Sequence, residues 1–198
     1  MTIINVAIFI SGYGSNALNI IEFFDKNRLI NIRLLLSNNK NSYALKKAKE
    51  MGVETVVFNN DSFKNNDEIL RFLQSRNINF IVLAGFLRLI PNNIIEHYGE
   101  KVINIHPSLL PKFGGKGMYG KRVHLAVLAS GDRLSGITIH FVNNVYDDGK
   151  IIFQDSVVVK KEDTLDILTK KIHDLEYKHY PKVIEEVINS IFFNFHEC

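Results

Sequence analysis

Residues 102–111 have the sequence VINIHPSLLP, and this stretch organises the rest of the chain. It begins as an apolar run that predicts a buried strand, and it ends in a loop that contains two prolines. Asn104 and His106 have the same parity along the predicted strand, so their side chains point to one face. Ligands of open parallel sheets bind beyond the carboxyl ends of the strands. Two polar side chains at such an end therefore indicate a candidate functional site.

The chemistry of this pair suits a reaction at a carbonyl carbon. An amide that donates hydrogen bonds, beside an imidazole that can carry a proton, can stabilise a developing oxyanion. The alternative is structural, because a strand-end Asn and a core His can satisfy the backbone of the following loop. For His106 alone the structural interpretation is favoured, but the pair followed by Pro-Ser-Leu-Leu-Pro favours the chemical one.

Length, charge and cysteine content narrow the class of protein. The 198 residues predict one domain, assigned to residues 1–190, with a short tail at 191–198. The net charge of +3 is too small to indicate binding to nucleic acid or to a membrane surface. Cys198 is the only cysteine, which excludes disulfides and thiolate metal sites. Because the N-terminus runs straight into a predicted strand without a signal segment, we expect a cytoplasmic protein.

The order of the predicted elements indicates an α/β fold. Strands first alternate with helices, which predicts a Rossmann-like, mostly parallel, twisted sheet flanked by helices. Two strands then follow each other directly and predict an antiparallel hairpin that extends the sheet, before a long C-terminal helix that Pro181 should kink or break. The predicted strands are 3–10, 30–36, 54–58, 80–84, 102–106, 136–142 and 150–159, and the predicted helices are 17–24, 43–51, 67–76, 92–98, 123–130 and 163–188.

Residues 11–16, SGYGSN, join the first predicted strand to the first predicted helix. Glycines let the backbone approach an anion and the first N–H groups of the helix point at it, so this loop predicts a phosphate cradle. Ser15 and Asn16 are expected to cap the helix or to reach the phosphate, and a tight turn with an N-cap is the structural alternative. NAD is disfavoured, because the second predicted strand ends in Ser-Asn-Asn-Lys without the carboxylate that a dinucleotide requires.

Three further features are ambiguous on the residues alone. Asp147 and Asp148 lie in the hairpin loop, and either could hold a strand-end imidazole as a cation, although Asp-Asp-Gly is also typical of a solvated turn. Arg88 is the only charge in an apolar segment and suits either a carboxylate clamp or exposure to solvent. Residues 112–120 are Gly-rich and predict a mobile lid or binding loop.

These motifs together resemble the folate-dependent formyltransferases. The pattern NxHPSLLP at 104–111, followed by DxG at 147–149, is similar to the Asn–His–Asp signature of that family. Three segments narrow the resemblance to the branch that acts on phosphoribosylglycinamide in purine biosynthesis: 12–16, 83–88 and 175–181. The resemblance covers nearly the whole chain, from Ile3 to the region of Ile188.

The resemblance implies direct transfer of the formyl group of 10-formyltetrahydrofolate, the co-substrate, to the amine of phosphoribosylglycinamide. It implies no metal and no enzyme-bound acyl group. Asn104 and His106 would hold the formyl oxygen as it becomes an oxyanion, with His106 as the cation and proton donor. Asp147 would keep His106 charged and relay protons. Oxyanion donors of this kind contribute about 3 kcal/mol each in the transition state.

The resemblance also assigns binding residues. The substrate phosphate is assigned to Gly14, Ser15 and Asn16, and the glycinamide end to Glu176. The folate is assigned to Leu87, Arg88, Leu89, Ile90, Asn104, Asn143, Asn144, Val145 and Tyr146, with Lys64 as the counterpart of a basic family residue. The lid is more Gly-rich, and the loop at 143–146 less acidic, than is usual in the family.

Other interpretations are open at this stage. A formyltransferase could use another amine acceptor, such as a nucleotide sugar or methionyl-tRNA, although the tRNA enzyme carries a basic C-terminal domain for which this chain has no room. A formyl-folate hydrolase would need a regulatory domain in front. A non-catalytic phosphate-binding α/β module would explain the glycine loop but not Asn104, His106 and Asp147 together. We expect small-molecule partners, no nucleic acid, no membrane, and a monomer or homodimer.

Overall fold

A seven-stranded sheet forms the centre of the computed structural model, which describes residues 2–59, 63 and 67–193. Its strands are β1 (Ile4–Ile10), β2 (Ile30–Ser37), β3 (Glu54–Val57), β4 (Phe80–Leu83), β5 (Val102–His106), β6 (Leu134–Phe141) and β7 (Ile151–Val158). The helices of these ranges include α1 (Ser15–Phe24), α2 (Tyr43–Glu50), α3 (Glu68–Ser75), α4 (Asn92–Tyr98), α5 (Lys121–Ser130) and α6 (Leu165–Phe192). None of the described helices is long and apolar enough to cross a membrane. Lys64 and residues 194–198 lie outside the described residues.

The order of the strands confirms the predicted α/β architecture. The strands lie in the order β3-β2-β1-β4-β5-β6-β7. The first five pair in parallel, whereas β6 is antiparallel to β5 and β7 is antiparallel to β6. The predicted hairpin therefore forms, and it extends the sheet directly beside the strand that carries Asn104 and His106.

Helices cover both faces of the sheet, because the central strands are apolar on both faces. In β1, Val6 and Ile8 pack on the side of α1, α2 and α6, whereas Ala7 and Phe9 pack on the side of α3 and α4. All four side chains are fully buried. One continuous apolar run thus contributes to two separate cores.

The C-terminal helix does not break at Pro181, which corrects the expectation from sequence. α6 is a single helix of 28 residues with Pro181 buried inside it. A proline lacks the N–H that would bond to the carbonyl four residues earlier, here that of Tyr177. The side-chain amide of Asn19 in α1 donates to this carbonyl instead, at 3.1 Å. A neighbouring helix thus satisfies the group that the proline leaves free, and α6 continues to Phe192.

Tyr180 ties the same helix to the middle of the sheet. Its side chain is fully buried, and its hydroxyl donates to the carbonyl of Leu83 at 2.9 Å and approaches that of Ile103 at 3.4 Å. Burial raises the pKa of Tyr180 well above its ordinary value, and the carboxyl of Glu176 raises it further. The hydroxyl therefore keeps the proton that it donates to the backbone of β4 and β5.

Replacement of Tyr180 by Phe should lower the free energy of unfolding by about 1–2 kcal/mol, because buried carbonyls lose a donor while the ring still fills its site. Urea denaturation measures this difference, and the slope should not change. Tyr43→Phe is the matched control, since Tyr43 is exposed and its ring stacks on Tyr13. Equal stability of Tyr180→Phe and the wild type would contradict the tie between α6 and the sheet.

Candidate active site

The antiparallel pairing of β5 with β6 sets the geometry of the candidate active site. Asn104 lies opposite His140, and His106 lies opposite Thr138. Residues opposite each other on neighbouring strands carry their side chains on the same face. Asn104 is half-buried, and His106 is buried with 3% of its surface exposed. The pair predicted from sequence therefore shares its face with a second histidine, His140.

His140 fixes the orientation of the Asn104 amide. Nδ1 of His140 lies 2.7 Å from the carbonyl oxygen of Phe141, which can only accept, so Nδ1 carries the proton. Nε2 of the neutral ring is then an acceptor, and Nδ2 of Asn104 donates to it at 3.1 Å. Burial lowers the pKa of His140 and outweighs the opposing effects of the Phe141 carbonyl and Asp147, which supports the neutral ring. Among the described residues, the second N–H of Asn104 has no acceptor.

Both ring nitrogens of His106 face acceptor oxygens. Nε2 lies 2.8 Å from the carbonyl oxygen of Phe113, and Nδ1 lies 3.4 Å from Oδ2 of Asp147. Because a carbonyl and a carboxylate both accept, the doubly protonated imidazolium satisfies the two contacts together. Oδ2 of Asp147 also accepts the N–H of Gly115 at 2.9 Å. The Gly-rich segment that was predicted to be a lid therefore contacts both side chains through its backbone.

Asp147, rather than Asp148, is the carboxylate beside His106. The side chain of Asp147 is 11% exposed, whereas Asp148 is an exposed residue whose carboxylate accepts from the amide of Asn143 at 3.3 Å. Burial raises the pKa of Asp147, but the hydrogen bond and charge of His106, together with the N–H of Gly115, outweigh burial and leave the pKa lowered. Asp147 is thus ionised at neutral pH and lies where it can hold a positive charge on His106.

Gly149 explains the spacing of the Asp-x-Gly motif. A Cβ at this position would lie 1.6 Å from the carbonyl oxygen of Phe141, which no side chain can do. That carbonyl is the acceptor for Nδ1 of His140. The hairpin loop therefore needs glycine where it approaches β6, and the same loop places Asp147, with a φ of 55°, beside the histidines.

The glycine-rich loop between β1 and α1 is held in one conformation. Gly14 precedes α1 with a φ of 85°, and a Cβ there would lie 2.4 Å from that of Ala44. The carbonyl of Tyr13 accepts the N–H of Ala44 at 3.1 Å, which fastens the loop to the start of α2. Ser15 and Asn16 were expected to cap α1, but Gly14 takes the cap position because the turn requires its left-handed backbone. Asn16 is 9% exposed, and its Oδ1 has no hydrogen-bond partner in the described ranges.

Glu176 lies on the part of α6 that contacts α1. The next residue, Tyr177, has its carbonyl bound by Asn19, which is one helical turn after Ser15. The carboxyl of Glu176 is half-buried and has no hydrogen-bond or ion-pair partner within the described part of the chain. Burial raises its pKa to about 7. Partial burial of a carboxyl without a partner is costly, so Glu176 marks a place where a ligand could supply N–H groups.

The first segment predicted to bind folate is attached to the glycine-rich loop. The N–H of Leu87 donates to Oγ of Ser11 at 3.0 Å, and the N–H of Ser11 donates to the carbonyl of Gly85 at 3.1 Å. The exposed residues of the two predicted folate segments are Leu87, Arg88, Leu89, Asn144 and Val145, while Asn143 and Tyr146 are half-buried and Ile90 is buried. The apolar side chains at this surface suit a flat, largely apolar ligand.

Sequence reasoning missed His140, the backbone of the lid, and His124. Alternation within residues 136–142 places Thr138 and His140 on one face, but only the strand register shows that His140 meets Asn104. His124 is buried on α5, and its pKa is lowered to about 4, chiefly by burial and further by the charges of His173 and His106.

The described residues contain no group of three or more His, Cys, Asp or Glu that could hold a metal ion.

Comparison with known proteins defines the class of this chain. A family model described as formyl transferase matches residues 4–184. The chain therefore belongs to the formyl transferase family, as the resemblance of its motifs predicted.

Individual relatives within this family match the chain over most of its length. The chain is 40% identical over 185 residues to the chloroplastic phosphoribosylglycinamide formyltransferase of Arabidopsis thaliana, and this match covers 90% of the chain but only 63% of the plant protein. It is 33% identical over 187 residues to the phosphoribosylglycinamide formyltransferase of Bacillus subtilis, and this match covers 92% of the chain and 93% of the relative. The crystal structure of phosphoribosylglycinamide formyltransferase from Bacillus halodurans superposes with a TM-score of 0.86 at 29% identity, over 96% of this chain and 99% of that one.

Gly149→Ala should lower the free energy of unfolding by about 3 kcal/mol, because the hairpin loop must move away from the Phe141 carbonyl. Gly131→Ala is the control: Gly131 has a φ of 73° but open space around its Cα, so its replacement should cost only about 1 kcal/mol. Urea denaturation of both variants measures the difference. A loss for Gly149→Ala no larger than that of the control would argue against the close approach of the loop to β6.

Proposed function

We propose that this protein transfers the formyl group of 10-formyltetrahydrofolate to the amine of phosphoribosylglycinamide. The products are the formylglycinamide ribonucleotide and tetrahydrofolate. The observation that carries the proposal is the linked set of Asn104, His140, His106 and Asp147 at the end of β5. The comparisons support the proposal, because relatives that match most of this chain are named phosphoribosylglycinamide formyltransferase.

Asn104 is the proposed donor to the formyl oxygen. When the amine attacks the formyl carbon, negative charge develops on that oxygen and its hydrogen bond to a donor becomes stronger. His140 holds one N–H of the Asn104 amide, so the direction of the other is already set and costs little reorganisation. A preorganised donor of this kind contributes about 3 kcal/mol, or about a hundredfold in rate.

His106 and Asp147 are the proposed proton-transfer pair. As the new C–N bond forms, the attacking amine loses a proton. As the old C–N bond breaks, the leaving folate nitrogen gains one. In this proposal His106 polarises the formyl oxygen and gives a proton from Nε2, while Asp147 stabilises the cation and receives the amine proton; the contact between the two side chains supports it. This role requires the Phe113 carbonyl, which lies 2.8 Å from Nε2, to give way to the substrate.

The ends of the acceptor substrate are assigned to two groups. We assign the phosphate to Gly14, Ser15 and Asn16, because the first N–H groups of α1 are free of helical partners and favour an anion. We assign the glycinamide end to Glu176, whose half-buried carboxyl lacks a donor among the described residues.

The folate is assigned to the two segments that follow β4 and β6. The exposed side chains of Leu87, Leu89 and Val145 support this assignment, because they offer apolar surface to the ring system. The remaining residues assigned to the folate are Arg88, Ile90, Asn104, Asn143, Asn144 and Tyr146.

The purified protein should release tetrahydrofolate only when both substrates are present, and His106→Ala should reduce turnover about 100- to 10,000-fold. The reaction is followed by chromatography of the folate products, and circular dichroism establishes that the variant is folded. His97→Ala is the matched control, because His97 is exposed on α4 and should be dispensable.

Each other outcome of this assay has a distinct meaning. Release of tetrahydrofolate without an acceptor would indicate a hydrolase. Folate binding without release in the presence of phosphoribosylglycinamide would indicate a different amine acceptor. The absence of folate binding would overturn the proposal, and loss of folding in His106→Ala would assign that residue a structural role.

Glu176→Gln should stabilise the free protein at high pH. Because the pKa of Glu176 in the folded protein is about 7 and its ordinary value is 4.5, the folded state binds the proton more tightly than the unfolded state. This contribution is complete below the ordinary pKa and is lost as the pH rises through the folded pKa. Glutamine does not titrate, so the variant should match the wild type near pH 4 and exceed it by about 2 kcal/mol above pH 8.

The same variant should raise the KM for phosphoribosylglycinamide about tenfold, because one charged hydrogen-bond acceptor is lost. Denaturation by urea at both pH values and steady-state kinetics test the two effects together. Glu186→Gln, an exposed position ten residues along α6, should change neither. A stability difference that does not depend on pH, or an unchanged KM, would remove Glu176 from the acceptor site.

A further inference from the structure

We propose that Gln154 is a positioning residue for the loop that follows His106, a role that rests on the function proposed above. His106, Thr138 and Gln154 form a row across three neighbouring strands, because each lies opposite the next in the register of β5, β6 and β7. Gln154 is exposed on the outermost of these strands. Its side chain nevertheless reaches back to the loop at residues 108–110.

The hydroxyl of Thr138 is the centre of these contacts. Thr138 is fully buried, and its hydroxyl donates to the carbonyl of Ser108 at 2.7 Å. The same oxygen accepts the backbone N–H of Leu110 at 3.0 Å and one side-chain N–H of Gln154 at 2.8 Å. A hydroxyl has one donor and two acceptor positions, so these three bonds use its full capacity.

Gln154 completes the attachment of the loop. The other N–H of its amide donates to the carbonyl of Leu110 at 3.1 Å, so both backbone polar groups of Leu110 bind to the pair formed by Thr138 and Gln154. Because Gln154 and Leu110 donate to the Thr138 oxygen, its own hydrogen is directed at Ser108. Without Gln154, the Thr138 oxygen and the Leu110 carbonyl would each lose a donor.

The attachment reaches His106 through a short stretch of backbone. The hydroxyl of Ser108 donates to the carbonyl of Lys112 at 2.7 Å, and the next residue, Phe113, supplies the carbonyl that faces Nε2 of His106. Phe113 has a φ of 57°, which is uncommon for a residue with a side chain and requires a well-defined path of the chain before it. Gln154 thus fixes the point from which the lid moves when Phe113 yields Nε2 to the substrate.

The variant Gln154→Glu tests this role, because a carboxylate of the same size cannot donate to either oxygen. We expect kcat to fall about 10- to 100-fold, as for a small misplacement of reacting groups, while both KM values stay within about threefold. In ¹⁵N NMR spectra of imidazole rings, the Nε2 signal of His106 should shift, because the Phe113 carbonyl is displaced. Ser156→Ala, two residues along β7 and exposed, is the matched control and should change neither measurement.

The NMR measurement separates this proposal from the proposed function. If the wild type transferred no formyl group to phosphoribosylglycinamide, the proposed function would fail, and the His106 signal alone would then decide whether Gln154 positions the loop. An unchanged kcat together with an unchanged His106 signal would overturn the positioning role. A raised KM at constant kcat would assign Gln154 to substrate binding instead, and a fall in kcat matched by unfolding of the variant would make its role merely structural.

Discussion

The pairing of β6 with β5 is the constraint on which the candidate site depends. Five parallel strands alone would leave Asn104 and His106 at the edge of the sheet without polar neighbours. Because β6 runs the other way, its register brings Thr138 and His140 beside them. The hairpin loop begins next to Val102, at the start of β5. It must then fold back along the face of the sheet, because the carboxylate of Asp147 lies beside His106 at the other end of that strand.

This arrangement shows which parts of the site could be predicted from sequence. The period of two in a strand is local information, so the common face of Asn104 and His106 could be predicted from five residues. The register between strands is not local, because it depends on the length of every connection and on the packing of both faces. For that reason the sequence did not predict His140 as part of the site, although it is the same residue type as His106.

Backbone contacts form a second kind of information that residue types do not carry. The sequence predicted a loop at 112–120 from its glycines, but the carbonyl of Phe113 and the N–H of Gly115 contact the candidate catalytic groups whatever their side chains are. Pro181 illustrates the same limit in the fold. A proline predicts a helix break only if the carbonyl that it leaves free has no other donor, and here Asn19 supplies one from a different helix.

The state of the polar groups divides the candidate site into two parts. His106 has acceptors at both ring nitrogens, Asp147 contacts His106 and Gly115, and His140 holds one N–H of Asn104. These contacts cost conformational freedom during folding rather than during the reaction. Around the glycine-rich loop the opposite holds, since Oδ1 of Asn16 is buried and the carboxyl of Glu176 is half-buried, and neither has a donor among the described residues. Such groups reduce stability until a ligand binds them. The hydrogen-bonded groups around His106 therefore suit the chemical step. The unpaired groups near the glycine-rich loop suit the recognition of a substrate that arrives and leaves in every cycle.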